Sequence, residues 1–159
     1  MKKLLTLLER DCTLSRDQLA AAAGMSREQV DAAIEQMEKE KIIRGYQALV
    51  DWDQVQPEAV TALIQVNVTP QSIDGYDRIA ERIYQYEEVE SMYLMSGTYD
   101  MTVLISGRTL REVAEFVGNR LAPIEGVTGT STHFILKRYK EQHLTFRKKQ
   151  EKEERFVLE

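Results

Sequence analysis

Two Ser-x-x-Gln signatures, S-R-D-Q at 15–18 and S-R-E-Q at 26–29, stand on either side of Gly24 with almost no chain to spare. Each reads as a capping box, in which a serine hydroxyl and a glutamine side chain satisfy N–H groups that the first turn of a helix cannot bond internally. Two helix starts this close make the first of the two helices short. Leu19, Ala20 and Ala23 give it a small-residue inner face. Gly24 ends it, because glycine takes the left-handed conformation of a helix C-terminus without strain. The next helix carries Val30, Ile34 and Met37 at i, i+4 and i+7. An earlier helix has Leu4, Leu5 and Leu8 at helical spacing. Three short helices, the last two joined through Gly24-Met25, make a helix-turn-helix arrangement. Beyond it, Ile42 and Ile43 are expected to cap the small core. Arg44-Gly45 is expected to turn, and Tyr46 to Val50 to supply a wing and a connecting strand. The polar stretch 51–59, with Pro57, marks a domain boundary.

From Val60 the period changes from helical to alternating. Val60, Ala62, Ile64, Val66 and Val68 alternate with polar residues as a strand does. Ile73, Tyr76, Ile79, Ala80 and Ile83 then follow at helical spacing. Strands are expected at about 89–95 and 100–106. A capping box T-L-R-E at Thr109 opens a helix with Leu110, Val113, Phe116, Val117 and Leu121 inside, and Pro123 and Gly126 end it. A last strand covers about 127–138. The order β-α-β-β-α-β is the ferredoxin-like motif, so the fold class is α+β. Its helices cover one sheet face. The other face, expected to include Tyr93, Met95, Met101 and Val103, is too apolar to stay wet, which implies a partner, most simply a second copy. The charged stretch 140–159, anchored by Phe146, Phe156, Val157 and Leu158, is expected either to dock as a helix on a neighbour or to stay solvated.

Composition removes several classes of function. One cysteine, Cys12, allows no internal disulfide, and with two separated histidines, His133 and His143, there is no zinc-type cluster. A lone thiol is a nucleophile in principle, but Cys12 has no histidine near it in sequence. No nucleophile–base pair, no paired acid–base carboxylates near a histidine and no phosphate-binding glycine loop is present, so an enzyme is not expected. His133 reads as a packing or interface residue. No apolar run reaches the roughly 20 residues of a spanning helix. The start MKKLLTLLERD is too short and too amphipathic for a signal peptide, so the cytoplasm is the expected compartment. The net charge is −5, and it is unevenly spread. Residues 1–50 carry 8 basic and 8 acidic side chains, whereas residues 51–138 carry 7 and 13. A neutral first domain is less basic than a nucleic-acid surface usually is.

Between the second and third strands stands S-G-T-Y-D, residues 96–100. As a turn, it needs only Gly97 for backbone freedom and Asp100 to take up local N–H groups. As a site, it offers much more. Gly97 lets a ligand approach the backbone, Thr98 supplies a hydroxyl, Tyr99 a flat wall with a phenol, and Asp100 a carboxylate suited to an ammonium group. Thr130, Ser131 and Thr132 in the last strand add hydroxyls, although threonine is also simply a good strand residue.

Taken in order, QLAAAAGMSREQVDAAIEQMEKEKIIRGYQALVD at 18–51, SGTYDMTVLI at 96–105 and GVTGTSTHFILKRYK at 126–140 resemble the Lrp/AsnC (feast/famine) family of transcription regulators over nearly the whole chain to about residue 140. The resemblance implies a winged helix-turn-helix DNA-binding domain at 1–50 and a linker at 51–59. It implies a ferredoxin-like domain of the RAM type for effector binding and oligomerisation at 60–140, and a charged tail at 141–159. It implies homodimers assembling further into tetramers or octamers, with a small amino acid bound between C-terminal domains and no other cofactor. Carried over, Ser26, Arg27, Gln29 and Val30 lie near the major groove of double-stranded DNA, with Lys41 and Arg44 near phosphates and the Ser26 amide as a phosphate seat. Gly97, Thr98, Tyr99, Asp100, Thr130 and Thr132 are the effector residues. One departure stands out: Ala33 occupies a position where many family members carry a basic residue, and Asp31, Glu35 and Glu38 add negative charge to the same helix. Two functions are therefore open. One is an amino-acid-responsive regulator that gains DNA affinity from many weak domains in one assembly. The other is an amino-acid-sensing oligomer acting through protein contacts with little DNA binding.

Overall fold

The computed structural model describes residues 1–69 and 75–146. The chain divides into two compact units, Met1–Val50 and the remainder from Asp51 onward. The first holds α1 (Lys2–Arg10), α2 (Arg16–Ala23) and α3 (Arg27–Lys39). Both capping boxes form. Gln18 N–H donates to Ser15 Oγ at 3.2 Å and Ser15 N–H to Gln18 Oε1 at 2.8 Å. Ser26 and Gln29 repeat the exchange at 3.2 and 2.9 Å. Gly24 takes φ 73°, and its N–H and that of Met25 both donate to the Ala20 carbonyl, at 2.9 and 3.0 Å. Leu4, Leu8, Leu19, Ala20, Val30, Ile34 and Met37 close into one buried cluster.

Past α3 the structure differs in detail from the expectation. Ile43 packs partly against the cluster, but Ile42 is exposed. Residues 44–50 form neither helix nor strand, so the expected wing carries no ladder within one protomer. A strand needs a paired neighbour, and this unit offers none. Tyr46 instead donates its hydroxyl to Glu38 Oε1 at 2.8 Å, fastening the segment to α3. Burial, and then the Glu38 carboxylate, push the Tyr46 phenol above its ordinary pKa.

The second unit opens with a short helix, α4 (Trp52–Val55), within the expected linker. Then come β1 (Val60–Val68), α5 (Gly75–Tyr84), β2 (Val89–Leu94), β3 (Met101–Gly107), α6 (Leu110–Phe116) with a π-helical turn at Val117–Leu121, and β4 (Val127–Phe134). The sheet order is β2-β3-β1-β4, all neighbours antiparallel. Ala62, Ile64 and Val66 pair with Ile105, Val103 and Met101 and point with them into the helix-covered core, along with Ile79, Ile83, Val113, Phe116 and Leu121. Met101 and Val103, expected on the outer face, instead lie buried under the helices. The outer face carries Thr61, Leu63, Gln65, Ser91, Tyr93, Thr102, Leu104, Ser106, Ser131 and His133. It is more polar than expected, with Leu63 opposite Leu104 at its centre and Tyr93 beside them. No helix among the described residues is long and apolar enough to cross a membrane.

Smaller differences have local causes. Glu112 N–H donates to Thr109 Oγ1, but the Glu112 carboxylate takes the Arg108 N–H at 2.8 Å, so the box at Thr109 is half formed. Leu110 is exposed. The last strand ends at Phe134, and residues expected to be a helix or a solvated tail instead form a hairpin, β5 (Lys140–Glu141) with β6 (Leu144–Thr145). Gln142 and His143 both take positive φ at its turn, the geometry that a two-residue hairpin requires. Ile73 and the anchors Phe156, Val157 and Leu158 lie outside the described residues.

Candidate functional site

The helix-turn-helix presents a narrow set of side chains. In the first turn of α3, Ser26, Arg27, Glu28 and Gln29 are exposed, but Val30 is fully buried among Leu19, Ile34 and Met37. Val30 belongs to the core, and groove contact is not open to it. Ser26 and Gln29 are engaged with each other, so the Ser26 amide is no open phosphate seat; its N–H already donates to Gln29. The positive end of α3 instead serves the chain's own Glu28. That carboxyl is held below its ordinary pKa by its own backbone N–H and then by the Ser26 hydroxyl.

Arg27 remains, and it is not solitary. Its Nη1 lies 3.5 Å from Asp17 Oδ1 and its Nε 3.9 Å from Asp31 Oδ2. Arg16 Nε meets the other Asp31 oxygen, Oδ1, at 3.1 Å. Lys41 and Arg44 are exposed but follow the far end of α3. At 1.5 Å per residue the two ends of α3 itself stand roughly 20 Å apart. The expected DNA residues thus fall into one group at the start of α3 and another beyond its end.

In the second unit, Asp100 is built into the sheet. Its Oδ2 accepts the Val68 N–H at 2.9 Å, its N–H donates to the Val66 carbonyl at 3.2 Å, and its carbonyl takes the Met95 N–H at 2.8 Å. The Tyr76 hydroxyl donates to Oδ1 at 3.4 Å. The Asp100 carboxylate thus takes up the N–H of Val68 in β1 rather than the local N–H groups expected of a turn residue, and it bridges the β2–β3 connection to the end of β1. Gly97 does not use the left-handed region, and a Cβ there would meet nothing within 4 Å. Gly97 and Thr98 are exposed, Tyr99 and Asp100 half-buried.

Thr130 pairs with Val66, and Thr132 with Ile64, on the opposite flank of β1 from β3. Two strand spacings, about 10 Å, therefore separate them from the backbone of the G-T-Y-D side. One protomer does not bring the two halves of the expected effector site together. Ser131 points to the outer face instead, where its hydroxyl lies 3.2 Å from His133 Nε2, itself 3.0 Å from Gln65 Oε1.

Two cavities of about 280 Å³ occur in this unit, and neither is lined by an expected effector residue. One lies between the end of β1, α5 and Gly126, with Arg78 and Arg82 at its wall. The other lies between β3 and α6, with Glu88, Glu112 and Arg120. No group of three or more His, Cys, Asp or Glu among the described residues is placed to hold a metal ion.

Residues 61–145 match the family model described as the Lrp/AsnC ligand binding domain. An uncharacterized HTH-type transcriptional regulator of Bacillus subtilis, YugG, is 43% identical over 145 residues, 91% of this chain and 87% of the relative. A solved AsnC family transcriptional regulator from Agrobacterium tumefaciens superimposes with a TM-score of 0.71 at 27% identity, covering 92% of each chain. The complex of a Neisseria meningitidis transcriptional regulator with L-Met reaches 0.72 at 24% identity, covering 87% of this chain and 89% of that one, a likeness of fold.

Proposed function

Because the chain belongs to the Lrp/AsnC family of transcriptional regulators, we propose that it binds its own upstream DNA in the cytoplasm in response to a small amino acid. The observation that carries this reading is the pair of modules in one chain: a capped helix-turn-helix and a sheet domain matching a ligand-binding family. In this reading α3 enters the major groove from its N-terminal end, with Arg27 nearest the bases. Ser26 and Gln29 shape that end rather than read DNA, and Lys41 and Arg44 approach phosphates. The effector is held by Gly97, Thr98, Tyr99 and Asp100 of one subunit and by Thr130 and Thr132 of another, which suits two half-sites that one protomer keeps apart. The amino acid's ammonium group meets the Asp100 carboxylate alongside its Val68 N–H and Tyr76 hydroxyl donors, and backbone N–H groups of the turn suit its carboxylate. The outer sheet face pairs two copies about Leu63 and Leu104, and dimers assemble further. The domains divide at 51–59.

The test is a titration of labelled upstream duplex against random duplex at several salt concentrations, with and without the twenty amino acids. Preference for the upstream duplex, weakening with salt and moving with the amino acids, supports the reading. A second reading is favoured by the ion pairs that occupy Arg16 and Arg27: an amino-acid sensor acting through protein contacts. Equal, weak affinity for both duplexes with amino-acid binding retained would select it.

A further inference from the structure

The start of the helix-turn-helix carries an alternating chain of four charges, Arg16–Asp31–Arg27–Asp17, that ties the first turn of α2 to the first two turns of α3. Asp31 is its centre. One carboxylate oxygen faces Arg16 at 3.1 Å and the other faces Arg27 at 3.9 Å, while Asp17 holds the far side of Arg27 at 3.5 Å. The group sums to zero charge, and its members are 40–73% exposed. Exposed ion pairs add little to stability, and α2 and α3 are already joined through Leu19, Ala20, Val30, Ile34 and Met37. The helix packing does not need this network.

Its position suggests another role. These are the arginines nearest the groove-reading end of α3. An arginine adds affinity for any DNA by displacing counterions from a phosphate, whatever the sequence. An arginine held by Asp31 must first exchange that carboxylate for a phosphate, and it leaves behind a negative charge beside the DNA backbone. We infer that Asp31 is a specificity-determining residue that acts by positioning: it withholds Arg16 and Arg27 from phosphates, so that random DNA is bound weakly and base contacts must release the arginines. This rests on the DNA-binding reading above, and extends it by naming what suppresses sequence-independent binding.

The test compares the full chain with its Asp31→Asn variant, which keeps the side chain's shape, on upstream and random duplexes across a salt series. The expected result is tighter binding of random duplex, about three- to tenfold, with less change on the upstream duplex. The slope of log affinity against log salt on random duplex steepens by about 1 to 2, since one or two more phosphates are neutralised. Glu35→Gln is the control. It removes one charge from the same exposed side of α3 without releasing an arginine, so it shifts affinity and leaves the slope in place. Asp17→Asn, which touches Arg27 alone, steepens the slope by no more than about 1. An unchanged slope in Asp31→Asn, or the same steepening in Glu35→Gln, overturns the inference while a wild-type preference for upstream DNA leaves the regulator reading standing. If neither wild type nor Asp31→Asn prefers the upstream duplex, both readings fall.

Discussion

Asp100 holds the end of the sheet with the same carboxylate that the effector reading needs. Its Oδ2 is the acceptor for the N–H of buried Val68. If Asp100 holds the effector as proposed, Asp100→Ala should remove the amino-acid response, and it should also destabilise the second unit by about 1–3 kcal/mol, because a donor loses its partner. Asp100→Asn separates the two roles. It keeps an acceptor oxygen and loses the charge, so the urea midpoint stays near wild type while the response is lost; a full response in Asp100→Asn would remove this residue from the site. Two glycines make a second comparison. Gly24 has φ 73° and open space around it, whereas Gly126 has φ 93° and a Cβ there would lie 2.7 Å from Ile79 Cδ1. Gly24→Ala should cost about 1 kcal/mol for the left-handed backbone alone. Gly126→Ala should cost more, because Ile79 must also move, and urea denaturation of the two variants would rank them.

Among the elements, α3 shows how a single helix divides its residues between folding and function. Its periodicity is enough to find the helix and its buried stripe, yet Val30 stands among residues assigned to the groove. The buried stripe and the end proposed to face the groove overlap in sequence, and only accessibility separates them. Val30→Ala should destabilise the first unit by about 2–3 kcal/mol through a cavity. Ser26→Ala should cost about 1 kcal/mol through loss of the cap. Both are read as shifts in the denaturation midpoint, and a Val30→Ala effect below that of Ser26→Ala would contradict its place in the core. The segment after α3 and the unexpected β5–β6 hairpin are the reverse case. A run such as Tyr46 to Val50 has strand composition, but it has no neighbouring ladder. Lys140 to Thr145 has weak composition but a turn at Gln142-His143 that closes it.

At the scale of the whole molecule, the two faces of the sheet differ, and the proposed assembly makes that difference testable. Leu104 lies half-buried at the centre of the outer face and makes no part of the helix-covered core, whereas its neighbour Val103 is fully buried within it. Leu104→Asp should therefore give a folded monomer, seen as a lower mass in sedimentation with unchanged circular dichroism. Val103→Asp should unfold the second unit, since a buried charge there has no partner. A Leu104→Asp variant that remains a dimer would move the interface elsewhere, toward the exposed Leu136, Tyr139 and Leu144 of the C-terminal segment.

Local chemistry is legible in the order of residues alone. Capping boxes, a C-terminal glycine and a 3.6-residue stripe are satisfied within a few residues of themselves, so the three helices and their turn follow from the sequence. The alternation of β1 and the order of elements follow for the same reason. Strand pairing is not local. Which face Met101 and Val103 take depends on register against β1, where a shift of one residue reverses every side chain. The union of Asp31 with Arg16, and of Asp100 with Val68, joins residues far apart in the chain through the packing of α2 on α3 and of β3 on β1. Such contacts carry no periodic signal along the sequence. They arise only when the folded backbone brings two elements within hydrogen-bonding distance.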